Sequence, residues 1–204
     1  MTELVRFGTW VIVFFLLGAI PFSVLTGQIF LREDIRLRGD GNPGAANVFK
    51  TGHIGLGILA MVLDFAKGFI PLFVYMWDRS VPMPWLFLMA CAPVMGHAYS
   101  PFLKFRGGKA IAVTFGVWAA LTTWVGPTWL GGMLVLFSFG IVLNTDGWKV
   151  QVGLLSLVVP LWISGAAWPL FVVILGHMAI SASKHRADLS VYPKIRLGRR
   201  WQSW

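Results

Sequence analysis

This sequence predicts an all-α, polytopic integral membrane protein of about seven transmembrane helices. Three observations predict it. Hydrophobic residues make up 57% of the 204 and charged ones only 12%, a composition that excludes disorder and suits no soluble class. The apolar residues gather in runs long enough to cross a hydrocarbon core of about 30 Å, which takes about 20 helical residues. Lysines and arginines sit just outside those runs, where membrane proteins carry them. The formal charge of +9 therefore points to membrane topology and away from a nucleic-acid partner.

The runs follow in order. Phe7–Leu31 has no charge and fits a first span. It exceeds a signal-peptide core and shows no evident cleavage site, so it stays in the chain. Ile54–Trp77 fits a second, interrupted by Asp64 and Lys67, and Pro84–Leu103 a third. Ala110–Thr145 is uncharged and broken at Gly126-Pro127 and Gly131-Gly132, which reads as a hairpin of two short spans. Val150–Ser183 is again uncharged, with a break near Gly165–Pro169, and gives two more. No repeat or soluble segment divides the chain, so residues 1–204 read as a single membrane-embedded domain. Cys91 is alone and reads as a buried apolar cysteine. The eleven tryptophans suit interfacial belts.

Seven spans place the termini on opposite sides. Fourteen lysines and arginines then fall on one side and two, Arg6 and Arg79, on the other, with Lys67 inside a span. The positive-inside rule puts the N-terminus outside and the C-terminus in the cytoplasm.

Two glycine-rich islands interrupt the apolar sequence on that basic side. The first is Gly39-Asp40-Gly41-Asn42-Pro43-Gly44-Ala45-Ala46-Asn47. Its glycines and Pro43 favour turns over helix, and the side chains of Asn42 and Asn47 both donate and accept hydrogen bonds. It reads either as a backbone nest for phosphate or as an ordinary loop, with Asp40 opposing an anion. The second is Lys104-Phe105-Arg106-Gly107-Gly108-Lys109, preceded by His97 and Pro101. Three cations around two glycines at a predicted helix start make a compact anion site; the competing reading is a topology anchor. Ala110 follows Gly-Lys, so this is no P-loop.

Asp64 and Lys67 share one helix face and neutralise each other at i, i+3. A structural ion pair is the favoured reading, a wall of the polar site the other. His177 and His185 close the last span. His185 stands beside Lys184, Arg186 and Asp188, placed for a general base, an anion donor or an interfacial polar group. No metal-spaced His/Cys cluster and no G-x-S-x-G occurs, so neither metal nor cofactor is expected.

Taken together, these segments resemble the PlsY family, membrane glycerol-3-phosphate acyltransferases that use acyl phosphate. Gly39–Asn47 is similar to the family's G-S-G-N-x-G-A-x-N, with Asp40 for the serine. Asp64-Phe65-Ala66-Lys67-Gly68 is similar to its D-x-x-K-G. Gly96-His97 and Phe105-Arg106-Gly107-Gly108-Lys109 resemble its G-H…F-x-G-G-K-G, with Ala110 for the last glycine. His185-Arg186-Ala187-Asp188 resembles its H-x-x-N, with Asp188 for asparagine. Lys50 stands for an arginine, and a serine pair opening the sixth span is reduced to Gly153 and Ser156.

The resemblance implies acyl transfer from acyl phosphate to the 1-hydroxyl of glycerol 3-phosphate at the cytoplasmic face of the cell membrane. It implies phosphate binding by Asn42, Gly44, Asn47, Lys50, His97, Arg106, Gly107, Gly108 and Lys109, with amides of the glycine pair among the donors. It implies catalytic roles for His185, Asp40 and Asp188. Arg36, Arg38 and Arg186 are the expected partners of the two carboxylates. The rival reading is a non-catalytic paralogue that binds lipid or phosphate in the bilayer.

Overall fold

The computed structural model describes residues 2–77 and 80–197. Arg79, Arg199 and Arg200, which enter the charge asymmetry, lie outside the described residues. Each predicted apolar run forms helix. The first is α1 (Glu3–Ala19), interrupted at Ile20-Pro21, then α2 (Phe22–Thr26) and a π turn over Gly27–Leu31. Pro21 has no N–H to donate, so α1 stops there. A 3₁₀ turn (Ile35–Leu37) and the first island lead into α3 (Ala45–Phe49). The second span is α4 (Ile54–Met76), 23 residues and about 34 Å long. The third is α5 (Met83–Ala98), extended by a 3₁₀ turn over Pro101–Leu103.

The next run forms α6 (Ile111–Thr122) and α7 (Val125–Val135), the latter continued by a π turn over Leu136–Gly140. The break comes at Thr123, with φ 58, not at Gly126-Pro127 or Gly131-Gly132 as the sequence suggested. Pro127 falls in the first turn of α7, where a missing N–H costs nothing, so it starts a helix instead of ending one. The last run gives α8 (Asp146–Ser156), α9 (Val158–Ile163) and α10 (Pro169–Lys184), followed by α11 (Arg186–Leu189).

Three stretches, Glu3–Leu31, Ile54–Met76 and Met83–Leu103, are long and apolar enough to cross a membrane. Ile111–Thr122, Val125–Gly140 and Pro169–Lys184 are shorter apolar helices. The all-α prediction needs one correction. β1 (Ile141–Leu143) pairs antiparallel with β2 (Ile195–Leu197) in the tail, Val142 opposite Arg196. Short strands within an apolar run escape a helical periodicity.

α1 packs on α5, α4 on α6, and α10 on α5 and α8. Trp118, Phe14, Leu72, Met89 and Ile174 fill the centre. Gly18 meets the backbone of Pro93 so closely that no Cβ would fit. In lipid such contacts gain by close packing, since a lipid tail is as apolar as the core. Ile12, Leu16, Ile58, Val62, Ile70 and Val74 face outward, as lipid-facing positions do.

A buried polar plug ties α4 to the broken first helix. Lys67 Nζ lies 2.7 Å from Asp64 Oδ1 and donates to the Ile20 carbonyl at 2.7 Å. Ser23 Oγ donates to Asp64 Oδ2 at 2.6 Å. Asp64 and Lys67 thus form the expected ion pair at i, i+3, facing into the bundle. The carbonyl freed at the α1 break is the acceptor a buried ammonium needs.

Candidate active site

The first island folds back on itself around Asp40. Gly39 and Gly41 take positive φ, 57° and 73°, a region open mainly to glycine. The chain can then turn Asp40 inward. Asn42 N–H donates to Asp40 Oδ1 at 3.2 Å, and Asn47 Nδ2 donates to the same oxygen at 3.1 Å and to the Asn42 carbonyl at 2.9 Å. Asn47 is fully buried, and its side-chain oxygen has no partner among the described residues. Gly44 caps α3, with the Asn42 amide packed against it. Lys50 extends back from the end of α3 so that its ammonium and the Asn47 oxygen converge on Gly39.

The two islands meet through one contact: Lys109 Nζ lies 3.1 Å from Asp40 Oδ2. Burial would raise the Asp40 carboxyl, but Lys109, the Asn42 N–H and Asn47 outweigh it and hold the group below its ordinary value. The carboxylate thus occupies a cradle of three donors suited to any anion. The expected arginine partners are otherwise engaged. Arg36 Nη2 binds Asp34 at 2.6 Å and Arg38 Nη2 binds Glu33 at 2.8 Å. Both pairs form within the segment that precedes the island, where partners two and five residues apart are already close.

Of the glycine pair, one amide is already engaged. Gly108 N–H donates to the His97 carbonyl at 3.1 Å. A Cβ at Gly107 would collide with that same carbonyl. These glycines let the island pack against the end of α5, which fixes Lys109 one residue before the α6 cap at Ala110. His97 lies behind them, buried, its ring against Gly108 and its Nδ1 3.7 Å from Asp64 Oδ1. It supports the second island from the bundle side. Lys104 and Arg106 line a different cleft, between α2 and the 3₁₀ turns.

The third component is His185 at the end of α10. Its ring is buried, and Nδ1 lies 2.7 Å from Asp188 Oδ2. A carboxylate only accepts, so Nδ1 carries the hydrogen, and in the neutral ring Nε2 is the acceptor. Nε2 is buried without a partner among the described residues. Asp188 is fixed in turn by the Gly147 N–H at 3.1 Å. Gly147 lies so close to His185 and Asp188 that a Cβ would strike both. Asp188 therefore pairs with His185 and not with Arg186.

Sequence reasoning missed this side of the site. Asp146 and Gly147 open α8, and Asp146 lies within electrostatic reach of both Lys109 and His185. The signal was present in Asn144-Thr145-Asp146-Gly147, a polar tetrad between two uncharged runs. A threonine before an acidic first turn is a helix-start pattern. Gly153 and Ser156, placed by resemblance at the opening of the sixth span, lie inside α8. Ser156 there donates to the Gly153 carbonyl and accepts from Trp129 Nε1. His177 does not close the last span either. It is buried in mid-α10 with Nε2 3.2 Å from the Ala90 carbonyl. Behind Lys109 a small apolar cavity of about 10 Å³ is lined by Thr114, Leu130, Val150, Leu154 and Ser181 among others.

A cation-and-amide cradle and a buried histidine with an unpartnered ring nitrogen, at one end of a bundle of apolar helices, form a set of groups suited to holding a phosphate and moving a proton. The family model for glycerol-3-phosphate acyltransferase matches residues 8–192, and the chain belongs to that family. Glycerol-3-phosphate acyltransferase 1 of Thermotoga maritima is 35% identical over 192 residues, covering 88% of this chain and 94% of that one. The enzyme of that name from Nitratidesulfovibrio vulgaris is 35% identical over 185 residues, 88% of this chain and 54% of that one. The crystal structure of PlsY, an integral membrane glycerol 3-phosphate acyltransferase, in its glycerol 3-phosphate form superposes with a TM-score of 0.79 at 26% identity. It covers 91% of this chain and 90% of that chain. Its lysophosphatidic acid form gives 0.76 at 25% identity.

Proposed function

We propose that this protein transfers a fatty acyl group from acyl phosphate to the 1-hydroxyl of glycerol 3-phosphate, giving lysophosphatidate and phosphate. The family supports the acceptor and the reaction type. All the relatives described are named as acyltransferases, which favours an enzyme over a non-catalytic binder. The observation that carries the site assignment is the convergence of Lys109, Asn47 and the Asn42 N–H on one carboxylate. A phosphate oxygen asks for the same donors, and Lys50 adds a second cation at Gly39. The uncapped start of α6 beside Lys109 adds orphan N–H groups.

In this reading the acyl phosphate binds with its headgroup at Lys109. His185 Nε2 accepts the hydroxyl proton of glycerol 3-phosphate. The hydroxyl oxygen bonds to the acyl carbonyl carbon, the carbon–oxygen bond to phosphate breaks, and phosphate leaves with that electron pair. Asp188 holds the imidazole in the required tautomer and stabilises the imidazolium. Acyl phosphate is already activated, so positioning and cationic stabilisation supply much of the rate. Asp40 must yield its donors to the incoming phosphate.

Seven spans, the N-terminus outside and the site at the cytoplasmic face of the cell membrane complete the reading, on the strength of the fourteen-to-two charge asymmetry. The test is phosphate release by purified protein supplied with palmitoyl phosphate, with and without glycerol 3-phosphate. Release that requires glycerol 3-phosphate and yields lysophosphatidate is expected. Absence of acceptor-dependent release would overturn the assignment.

A further inference from the structure

A second polar feature lies apart from the transfer site. Between α2, the 3₁₀ turn at Ile35–Leu37 and the one at Pro101–Leu103 opens a cleft of about 890 Å³. Ile20, Val24, Leu25 and Phe102 form its apolar wall, and Lys104 and Arg106 its basic edge. Arg36 also reaches it, but that charge is held by Asp34 at 2.6 Å. Lys104 and Arg106 have no ion-pair partner among the described residues. Lys109, Asn47 and His185 do not line this cleft.

We propose that this cleft seats the headgroup of an anionic phospholipid of the surrounding bilayer. Position is the first argument. The helical stretch Glu3–Leu31 is 29 residues long and breaks at Ile20-Pro21 after the 17 residues of α1, which come close to the roughly 20 a hydrocarbon core requires. Its last turns therefore reach the headgroup layer, and Leu25 and Gln28 of those turns line the cleft. Ile29 and Phe30 beside them are exposed apolar residues, as are Phe102, Phe105 and Leu37 on the opposite rim. Polar edge and apolar wall thus meet at the depth where a lipid phosphate meets its glycerol and chains.

Chemistry is the second argument. Two unpaired cations fit one phosphate diester, and the guanidinium presents a planar fork to its oxygens. A soluble anion would satisfy the cations but leave the wall of α2 in water. A phospholipid covers that wall with its own chains. A topology anchor, by contrast, needs only charge and no cavity. The loop is also held in an unusual shape. Lys104 and Phe105 are consecutive non-glycine residues with left-handed φ, 53° and 60°. Phe105 N–H to the Ser100 carbonyl and Arg106 N–H to the Leu103 carbonyl fasten them. This turns Phe105 outward while Arg106 stays on the cleft.

The experiment uses the full chain in nanodiscs of phosphatidylcholine containing a few per cent of spin-labelled lipid. The motionally restricted fraction is compared for phosphatidylglycerol and phosphatidylcholine labels. A preference of about thirtyfold for phosphatidylglycerol is expected, the scale two cations near a bilayer surface provide. Lys104→Ala with Arg106→Ala should abolish it, while the charge-keeping pair Lys104→Arg with Arg106→Lys should retain most of it. Lys109→Ala should leave it unchanged, and saturating glycerol 3-phosphate should not displace the label. Equal restriction of both lipids by the wild-type protein overturns the proposal. So does a preference that survives the alanine pair, or one lost in Lys109→Ala. Displacement by glycerol 3-phosphate would make the cleft part of the transfer site and likewise overturn it. If the alanine pair does not fold, the wild-type comparison and the charge-keeping pair still decide the matter.

Discussion

Removing the Lys109 ammonium acts on two terms at once. The first is its contact with substrate phosphate. A charge-assisted hydrogen bond is worth about 1.5–3 kcal/mol, or roughly ten- to a hundredfold in affinity. The second is Asp40, 3.1 Å away, which is left uncompensated beside the incoming phosphate. The lysine side chain is 27% exposed and the carboxylate 46%, so water screens this repulsion to about 0.2–1 kcal/mol, a further factor of roughly 1.4 to five. Lys109→Ala should therefore raise KM for the phosphate substrates by more than its direct contact accounts for. In an Asp40→Ser background the same change should cost only the direct part. The protein should stay folded, since so exposed a pair is a minor contribution to stability. The assay is steady-state phosphate release from palmitoyl phosphate at varied glycerol 3-phosphate, for the four members of the cycle and for Lys104→Ala. A loss in Lys109→Ala no greater than that in Lys104→Ala would refute the reasoning, because Lys104 lines the other cleft.

Three further outcomes follow from the same geometry. Asp40→Ser alone should lower KM about 1.4- to fivefold by emptying the anion cradle, and a rise in KM measured in the same assay would show the carboxylate serving the reaction. Asp188→Ala should lower kcat roughly a hundredfold or more by releasing the His185 tautomer, whereas Asp188→Asn, which still presents an acceptor to Nδ1, should lose far less; near-wild-type kcat for both would remove His185 from the proton transfer. Asp34 is held below the usual carboxylate range, chiefly by its hydrogen bond to Arg36, so its contribution to stability is full above the ordinary carboxylate value and lost as pH falls through the lower folded one. Thermal unfolding should show Asp34→Asn losing less Tm than wild type between pH 6 and pH 3. As for topology, single cysteines at His53, Lys104 and Ser190 in a Cys91→Ser background should label from one side and a cysteine at Ser80 from the other, and mixed labelling would end the seven-span reading.

Much of this protein was legible in the sequence because lipid leaves little choice. A backbone in hydrocarbon must satisfy its own hydrogen bonds, so apolar runs such as Phe7–Leu31 and Ile54–Trp77 become helix wherever they lie. The Asp64–Lys67 pair followed from spacing alone, as did the start of a helix just after Lys109. What spacing cannot supply is the partner of a side chain across loops. Arg36 and Arg38 were plausible partners for Asp40, but Asp34 and Glu33 lie nearer to them, and only the docking of the second island against α5 brings Lys109 to Asp40. The glycine pair read as phosphate amides, yet their closeness to the His97 carbonyl is a packing distance that no sequence displays. Asp146 and Gly147 acquired a role only when α8 was laid against the end of α10, where the Gly147 N–H fixes Asp188 and, through it, leaves His185 Nε2 free. Local backbone chemistry and the bilayer determined the helices; the site came from contacts between segments about forty to seventy residues apart, which exist only once the helices have packed.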